Sequence, residues 1–115
     1  MTGPFPRRER LTNSADFQAL FQRGKRIDRP TMIVLWRESR APRRAGFAVS
    51  RQVRTAVQKN RARRRLREAY RAARGAAPAK VSLVLIAKPG VLRAGVAALT
   101  EDLRATFASI PGARA

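Results

Sequence analysis

The sequence predicts a single α+β domain in which three helices pack on a sheet of three or four strands. Three segments carry apolar residues at a helical period, and short runs of β-branched and large apolar residues lie between them. A chain of 115 residues, 44% of them hydrophobic, can build one modest core. The predicted order is αββαβα, and a short extra strand near 25–28 would make it αβββαβα. We expect one domain over 1–115, with residues 1–10 as an extended basic arm and 110–115 as a loose tail.

The first helix is predicted over roughly 14–23. The segment 13–16, Asn-Ser-Ala-Asp, has the short polar side chains that cap helix N-termini. Phe17, Leu20 and Phe21 follow at i, i+3 and i+4 and so share one face. A glycine three positions later supplies the stop signal.

Two strands are predicted next, over Thr31–Arg37 and Ala45–Ser50. The first is apolar on both faces, so both faces should be covered or one should line a cleft. The second alternates, with Phe47 and Val49 on one side. Its other side carries only small residues, which leave room for something to approach the sheet: Gly46, Ala48 and Ser50.

The second helix is predicted from about residue 56, after a capping-box pattern at Thr55 to Gln58, and Gly75 should close it. Its 18 or so residues would make a rod of about 27 Å. At about 100° per residue, an Ala, Leu and Tyr stripe falls on one face and should lie on the core. The stripe consists of Ala62, Leu66, Ala69, Tyr70 and Ala73. The opposite side collects polar and cationic residues: Asn60, Arg63, Arg64, Arg67, Arg71 and Arg74.

The remaining elements are a strand and a helix. Val81–Ala87 is almost entirely apolar, which is typical of a central strand. Pro89 and Gly90 end it. A last helix over roughly 93–109 should bury a stripe made of Val96, Leu99, Leu103 and Phe107.

The net charge of +19, from 26 Lys and Arg against 7 Asp and Glu, is the strongest functional signal in the composition. Such a charge destabilises the folded chain by self-repulsion unless an anionic partner neutralises it. Nucleic acid is the natural partner, because cations that bind its phosphates release condensed counterions. Arg51 and Arg54, just before the second helix, extend its cationic face. An anionic membrane surface is a weaker alternative, since the small apolar stripe suits sheet packing better than insertion.

Residues that could carry catalysis are scarce. The chain has no Cys and no His, which removes the thiol nucleophile, the usual general base and the commonest metal ligands. Only Glu101 and Asp102 are adjacent carboxylates, and successive helical residues do not share a face. We therefore expect no catalytic and no metal-ligating residue in the protein. The aromatic residues Phe17, Phe21 and Trp36 have two interpretations, core packing or a platform for unpaired bases.

The compartment can also be predicted. No stretch reaches the roughly 18 apolar residues of a membrane span. The first ten residues lack the apolar segment of a secretion signal. We expect a cytoplasmic protein.

Short motifs on and around the second helix form a recognisable set. Gly46-Phe-Ala-Val-Ser50 precedes it, and the helix itself carries Ala-Val-Gln-Lys-Asn-Arg-Ala-Arg-Arg over 56–64 and Leu-Arg-Glu-Ala-Tyr over 66–70. Arg10-Leu11, Asp-Phe-Gln-Ala-Leu-Phe over 16–21 and Val-Leu-Ile-Ala-Lys over 84–88 flank them. In this order, over about 7–108, the set resembles the protein subunit of bacterial ribonuclease P. Lys59 stands where that family's Arg-Asn-Arg motif begins, keeping the charge but not the bidentate fork.

The resemblance implies a fold and an activity. The fold would be αβββαβα with a mostly antiparallel sheet and a left-handed βαβ crossover, in a class shared with a ribosomal protein. The activity would be that of a protein subunit of an endonuclease that removes the 5′ leader from precursor tRNA. The RNA subunit would carry the chemistry, with Mg²⁺ held by RNA and substrate. One protein, itself a monomer, would serve each RNA subunit.

The resemblance also assigns residues to two binding sites, one for the RNA subunit and one for the leader. The alternative function requires only the first. The catalytic RNA subunit would be bound by the second helix and the turn before it, through Arg51, Arg54, Lys59, Asn60, Arg61, Arg63, Arg64, Arg67 and Arg71. A cleft between the first helix and the sheet would hold the single-stranded leader, lined by Phe17, Phe21, Trp36, Ala48 and Ser50. The alternative is a structural RNA-binding protein of ribosomal type, which would have no leader cleft.

Overall fold

Three α-helices and four strands follow one another as αβββαβα in residues 10–11 and 14–111, the part of the chain that this computed structural model describes. The short strand expected near 25–28 is present, so the order with three consecutive strands is confirmed. The bounds are α1 Ser14–Arg23, β1 Lys25–Asp28, β2 Met32–Glu38, β3 Arg44–Val49, α2 Ala56–Ala73, β4 Val81–Ala87 and α3 Val96–Ala108.

The strands form one mixed sheet in the order β1-β2-β4-β3. The pairs β1–β2 and β2–β4 are antiparallel, while β3 and β4 are parallel. The unbroken apolar run of β4 is explained by its position between two neighbouring strands and under helices on both faces. Because β3 and β4 are parallel neighbours, α2 is the crossover between them; its left-handedness stays a prediction.

The two faces of the sheet carry different helices. α2 and α3 cover one face, where Leu85 and the Tyr70 ring are fully buried. α1 lies on the other face, where Leu20 packs with Leu35 and Val84. The first layer holds most of the core, and the second is a small cluster under one short helix. The face under α1 is therefore the more open of the two.

The basic helix α2 begins where its cap predicts. Thr55 has an extended backbone, and its side-chain oxygen accepts a hydrogen bond from the Gln58 amide at 3.1 Å. The predicted apolar stripe is entirely buried: Ala62, Leu66, Ala69, Tyr70 and Ala73. The period of the sequence alone thus orients this helix, with its cationic side turned away from the core.

The end of α2 corrects one prediction. Gly75 does not close the helix, because α2 ends at Ala73 and Arg74 keeps a right-handed helical conformation. The chain then continues into a short 3₁₀ helix, Arg74–Ala76. No left-handed residue is used there, so the glycine is not needed for its backbone freedom.

The beginning of α3 also differs from its prediction. It starts at Val96 rather than near 93, because Pro89–Leu92 forms a second 3₁₀ helix and Gly95 takes the N-cap position. Within 10–11 and 14–111, no helix is long and apolar enough to cross a membrane.

The two ends of the described part of the chain are held by backbone and core contacts. The Leu11 amide donates to the Ala45 carbonyl at 2.9 Å, and Arg10 forms a parallel bridge with Ala45. Ile110, predicted in a loose tail, is 2% exposed and belongs to the main core, so the tail was predicted to start too early. The rest of the predicted arm, 1–9, and the end of the tail, 112–115, lie outside the described residues.

Candidate RNA interface

The side of α2 that faces away from the core carries most of the residues predicted to bind RNA. We call this set the α2 cationic face. Four of its members are exposed (Lys59, Asn60, Arg61 and Arg64), and three are half-buried (Arg63, Arg67 and Arg71). Side chains on this face can reach a polyanion without any change in the backbone.

The turn before α2 extends this face. Arg51 and Arg54 are both exposed. Val53 lies between them, is 2% exposed, and donates its amide to the Ser50 carbonyl at 3.0 Å. The buried valine anchors the turn, so the two arginines are presented from a fixed backbone at the N-terminal end of the helix, where the helix dipole favours anions.

Arg67 lies at the centre of a group of arginines. Its guanidinium stands over the Phe47 ring, with 5.6 Å from the Arg67 Cζ to the ring centroid. Partial burial lowers the pKa of Arg67, and the nearby charges of Arg10, Arg63 and Arg71 lower it further. Arg67 thus lies within electrostatic reach of three further arginines, and a phosphate bound beside it would relieve their repulsion.

The cations of the α2 cationic face are not neutralised by carboxylates. The ion pairs described in residues 10–11 and 14–111 involve none of them. Arg63 donates to the Asn60 side-chain oxygen at 3.5 Å, and the buried Nε of Arg71 has no hydrogen-bond partner. No carboxylate of the described residues therefore competes with an anionic ligand for these cations.

Arg65, on the same helix, has a different role. Its guanidinium donates to the carbonyl oxygens of Val91, at 3.0 Å, and Ala94. These carbonyls belong to the segment that joins β4 to α3, so Arg65 holds that connection against α2. Arg65 was not among the predicted RNA-binding residues, and its guanidinium is used in these contacts within the fold.

The second predicted site, between α1 and the sheet, is an apolar groove. The Phe17 ring lies against Gly46, where a Cβ atom would overlap it. The side chain of Phe21 is 53% exposed. Ala48 and its strand neighbours Ile33 and Ile86 form a half-buried row on the same face. We call the surface formed by Phe17, Phe21, Ile33, Ala48 and Ile86 the α1 groove.

One predicted groove residue lies elsewhere. Trp36 is 6% exposed and packs in the core between the sheet, α2 and α3, on the face opposite α1. The Lys25 ammonium stands 5.1 Å from the centroid of its ring. β2 is apolar on both faces, so the sequence did not indicate which side Trp36 takes. Sequence reasoning also missed Ile33 and Ile86, which only the strand register brings beside Ala48.

Ser50 lies at one end of the α1 groove, as predicted. It lines a hollow with Ile33, Gln52, Lys88 and Asp28. The Lys88 ammonium donates to the Asp28 carboxylate and is the main cause of that group's lowered pKa; Arg26 acts in the same direction. The mouth of the groove is therefore polar, whereas its floor is apolar.

Residues 10–11 and 14–111 contain no group of three carboxylates placed to hold a metal ion. The side chain of Asp102, for example, accepts hydrogen bonds from Arg29 at 3.1 Å and Thr31 at 3.2 Å.

Known proteins are similar to this chain over most of its length. A family model described as ribonuclease P matches residues 5–111. The ribonuclease P protein component of Gluconacetobacter diazotrophicus is 40% identical over 104 residues, covering 88% of this chain and 90% of that protein. That of Mycobacterium avium is 36% identical over 113 residues, covering 92% and 94%.

A solved structure agrees at the level of the fold. The RNase P protein from Thermotoga maritima superposes with a TM-score of 0.77 at 28% identity, over 90% of this chain and 99% of that one. Since the family model spans nearly the whole chain and curated relatives exceed 35% identity over most of it, the chain belongs to the ribonuclease P protein family and is a protein component of that ribonuclease.

Proposed function

We propose that this protein binds the catalytic RNA subunit of ribonuclease P through the α2 cationic face and the single-stranded 5′ leader of precursor tRNA through the α1 groove. The observation that supports the first part is the arrangement of α2. Its apolar stripe is fully buried, and its opposite side presents cations without carboxylate partners among the described residues.

The protein's contribution is electrostatic and geometric, and the cleavage chemistry resides in the RNA. A substrate RNA and a catalytic RNA repel each other, and a chain of net charge +19 placed between them lowers that repulsion. Mg²⁺ belongs to the RNA and the substrate in this proposal. It would activate water and stabilise the leaving oxygen there.

The α1 groove suits a leader without strong sequence preference. Unpaired bases stack on exposed aromatic rings, and each base stacked in this way contributes about 1–3 kcal/mol. Phe21 offers such a ring, and the small side chain of the half-buried Ala48 leaves room for a nucleotide beside the strand. Mature tRNA lacks a leader, so this groove would favour the precursor over the product.

Cleavage of a 5′-labelled precursor tRNA at low Mg²⁺ tests the proposal. A bacterial ribonuclease P RNA is assayed alone, with the protein, and against a lane with protein alone. We expect stimulation only in the mixture. Cleavage in the protein-alone lane would refute RNA-borne chemistry, and no stimulation despite tight RNA binding would refute the role as a subunit.

The net charge alone would also suit a structural RNA-binding protein of ribosomal type, but the family match favours the ribonuclease P role over that alternative. The two differ in leader dependence. A ribosomal-type protein would bind precursor and mature tRNA complexes equally, whereas the proposed subunit favours the precursor. We further propose one protein monomer per RNA subunit, in the cytoplasm.

A further inference from the structure

One carboxylate lies at the mouth of the α1 groove. The side chain of Asp28, on β1, is 52% exposed and lines the polar hollow at that mouth. Strand pairing sets Asp28 directly across from Ile33, a residue of the groove floor. Because paired residues of neighbouring strands point to the same face of a sheet, Asp28 faces the groove side and not the main core.

Two cations hold this carboxylate, one at each oxygen. The Lys88 ammonium donates to Oδ1 of Asp28, and the Arg26 guanidinium donates to Oδ2 at 3.3 Å. Arg26 is paired with Leu35, which packs under α1, so Arg26 also lies on the groove side of the sheet. The carboxylate of Asp28 therefore bridges the two cations at the groove mouth.

The charge balance of the hollow depends on Asp28. The hollow has a volume of about 560 Å³, and its charged lining among the described residues consists of Arg26, Lys88 and Asp28. Two cations against one carboxylate leave a net charge of +1 there. Without the carboxylate the same hollow would carry two unshared positive charges. A phosphate that enters it must therefore share the cations with Asp28 or displace it.

The backbone that carries Asp28 is fixed. The Arg29 amide donates to the Met32 carbonyl at 2.8 Å and closes the turn between β1 and β2. The side chains of Arg29 and Thr31 both donate to the Asp102 carboxylate of α3, at 3.1 Å and 3.2 Å. The strand end is thus tied to the rest of the fold. The carboxylate stays beside the hollow unless its own side chain rotates.

The contacts of Asp28 can open without disturbing the fold. Ion pairs between exposed side chains contribute little to stability, because water solvates both partners. The Arg26 side chain is 61% exposed, and the Asp28 side chain is more exposed than that of Lys88, at 52% against 26%. A carboxylate that only oriented Lys88 towards a ligand would lie behind the lysine. Asp28 lies on the open side, where the ligand would enter.

We propose that Asp28 is an internal competitor of the leader: it occupies Lys88 and Arg26 while the α1 groove is empty, and a phosphate of the leader displaces it. This rests on the proposed function, since it requires the leader to lie in the groove. Both cations make with Asp28 the charge-assisted hydrogen bonds that they would make with a phosphate. The competition lowers the affinity for the leader. It also favours departure of the cleaved leader, because Asp28 replaces the phosphate that leaves.

The test compares Asp28→Asn with Glu101→Gln in the full-length protein assembled with the RNA subunit. Each change removes one exposed carboxylate from an ion pair, but Glu101 pairs with Arg104 on α3, which packs on the other face of the sheet. The Kd values for precursor and mature tRNA are measured over a range of salt concentrations. For Asp28→Asn we expect the precursor to bind about two- to fivefold more tightly, the range of an exposed charge pair. Its log–log salt slope should be steeper by roughly 0.7, for one more single-strand phosphate contact.

The affinity for mature tRNA should not change in either variant, and Glu101→Gln should keep the wild-type affinity for the precursor. Asp28→Ser removes the same charge with a smaller side chain and should reproduce the gain if the Asn variant does not fold. Weaker binding of the precursor would overturn the inference, because Asp28 would then position Lys88 for the leader. An unchanged affinity, or equal gains in the Asp28 and Glu101 variants, would also overturn it. A wild-type complex that does not prefer precursor over mature tRNA would instead refute leader binding in the proposed function.

Discussion

The α2 cationic face and the α1 groove differ in the physical means by which each would recognise RNA. The first consists of guanidiniums standing on a fully buried stripe, and its attraction is long-ranged and weakened by salt. The second consists of an exposed ring beside a half-buried apolar row, and its attraction would come from stacking, which is short-ranged. Because the two surfaces lie on opposite faces of the sheet, the proposed function lets one small domain hold two RNA segments at once.

The largest effect is expected when a buried side chain that packs α2 on the core is removed. Leu66→Ala deletes a fully buried side chain of the stripe and should lower the free energy of unfolding by about 2–5 kcal/mol. Urea unfolding measures this directly. Val57→Ala is the matched control on the same helix, since Val57 is 76% exposed and should change stability by less than about 0.5 kcal/mol. Equal losses of stability in the two variants would mean that burial of the stripe does not hold α2 on the core.

Gly46→Ala should damage the α1 groove and spare the α2 face. The added methyl group would overlap the Phe17 ring, and the ring must move to make room. We expect a loss of about 1–3 kcal/mol in stability together with weaker discrimination between precursor and mature tRNA. Affinity for the RNA subunit should not change. Gly75→Ala, where a Cβ atom meets nothing within 4 Å, is the control; a similar loss there would point to a backbone effect.

Phe21→Ala tests the α1 groove alone, because Phe21 does not belong to the buried core. Because the ring is 53% exposed, its removal should scarcely affect thermal unfolding. It should weaken precursor binding by about 1–3 kcal/mol if a leader base stacks on it, and leave the binding of mature tRNA unchanged.

Trp36→Ala should instead lower the free energy of unfolding by about 3–5 kcal/mol without a selective loss of precursor binding, since Trp36 is buried on the other face of the sheet. A selective loss with Trp36→Ala would contradict this assignment.

The smallest expected effect is a change in how the affinity for the RNA subunit depends on salt concentration. Arg61→Gln with Arg64→Gln should reduce the salt slope for RNA-subunit binding by roughly 1.8, at 0.9 per lost phosphate contact. The preference for precursor over mature tRNA should stay the same. Arg65→Gln, on the same helix, should lower stability by about 1–3 kcal/mol because it leaves the carbonyls of Val91 and Ala94 without their donor, and should not alter the slope. Filter binding at several salt concentrations separates the two outcomes.

The sequence was informative where one face is polar and the other apolar. In α2 the 3.6-residue period assigned Leu66 and Tyr70 to the core, and both are fully buried. In β3 the alternation put Gly46 on the face opposite Phe47, and in the structure the Phe17 ring of α1 lies against Gly46 on that face. In each case a single strongly patterned element defines its own orientation.

The sequence was ambiguous where both faces are apolar. β2 could be turned either way, and only pairing with β4 placed Leu35 under α1 and Trp36 against α2 and α3. Ile33 and Ile86 were missed for the same reason.

The short pairing of Arg10 and Leu11 with Ala45 has a consequence for solubility. β3 lies at the end of the strand order, and its outer backbone groups would otherwise be a template for a strand of another molecule. The Leu11 amide occupies one of these groups, and Arg10 places a charge beside it. At the opposite edge, β1 is short and carries Lys25, Arg26 and Asp28. Both margins of the sheet are thus guarded against edge-to-edge aggregation before any RNA is bound.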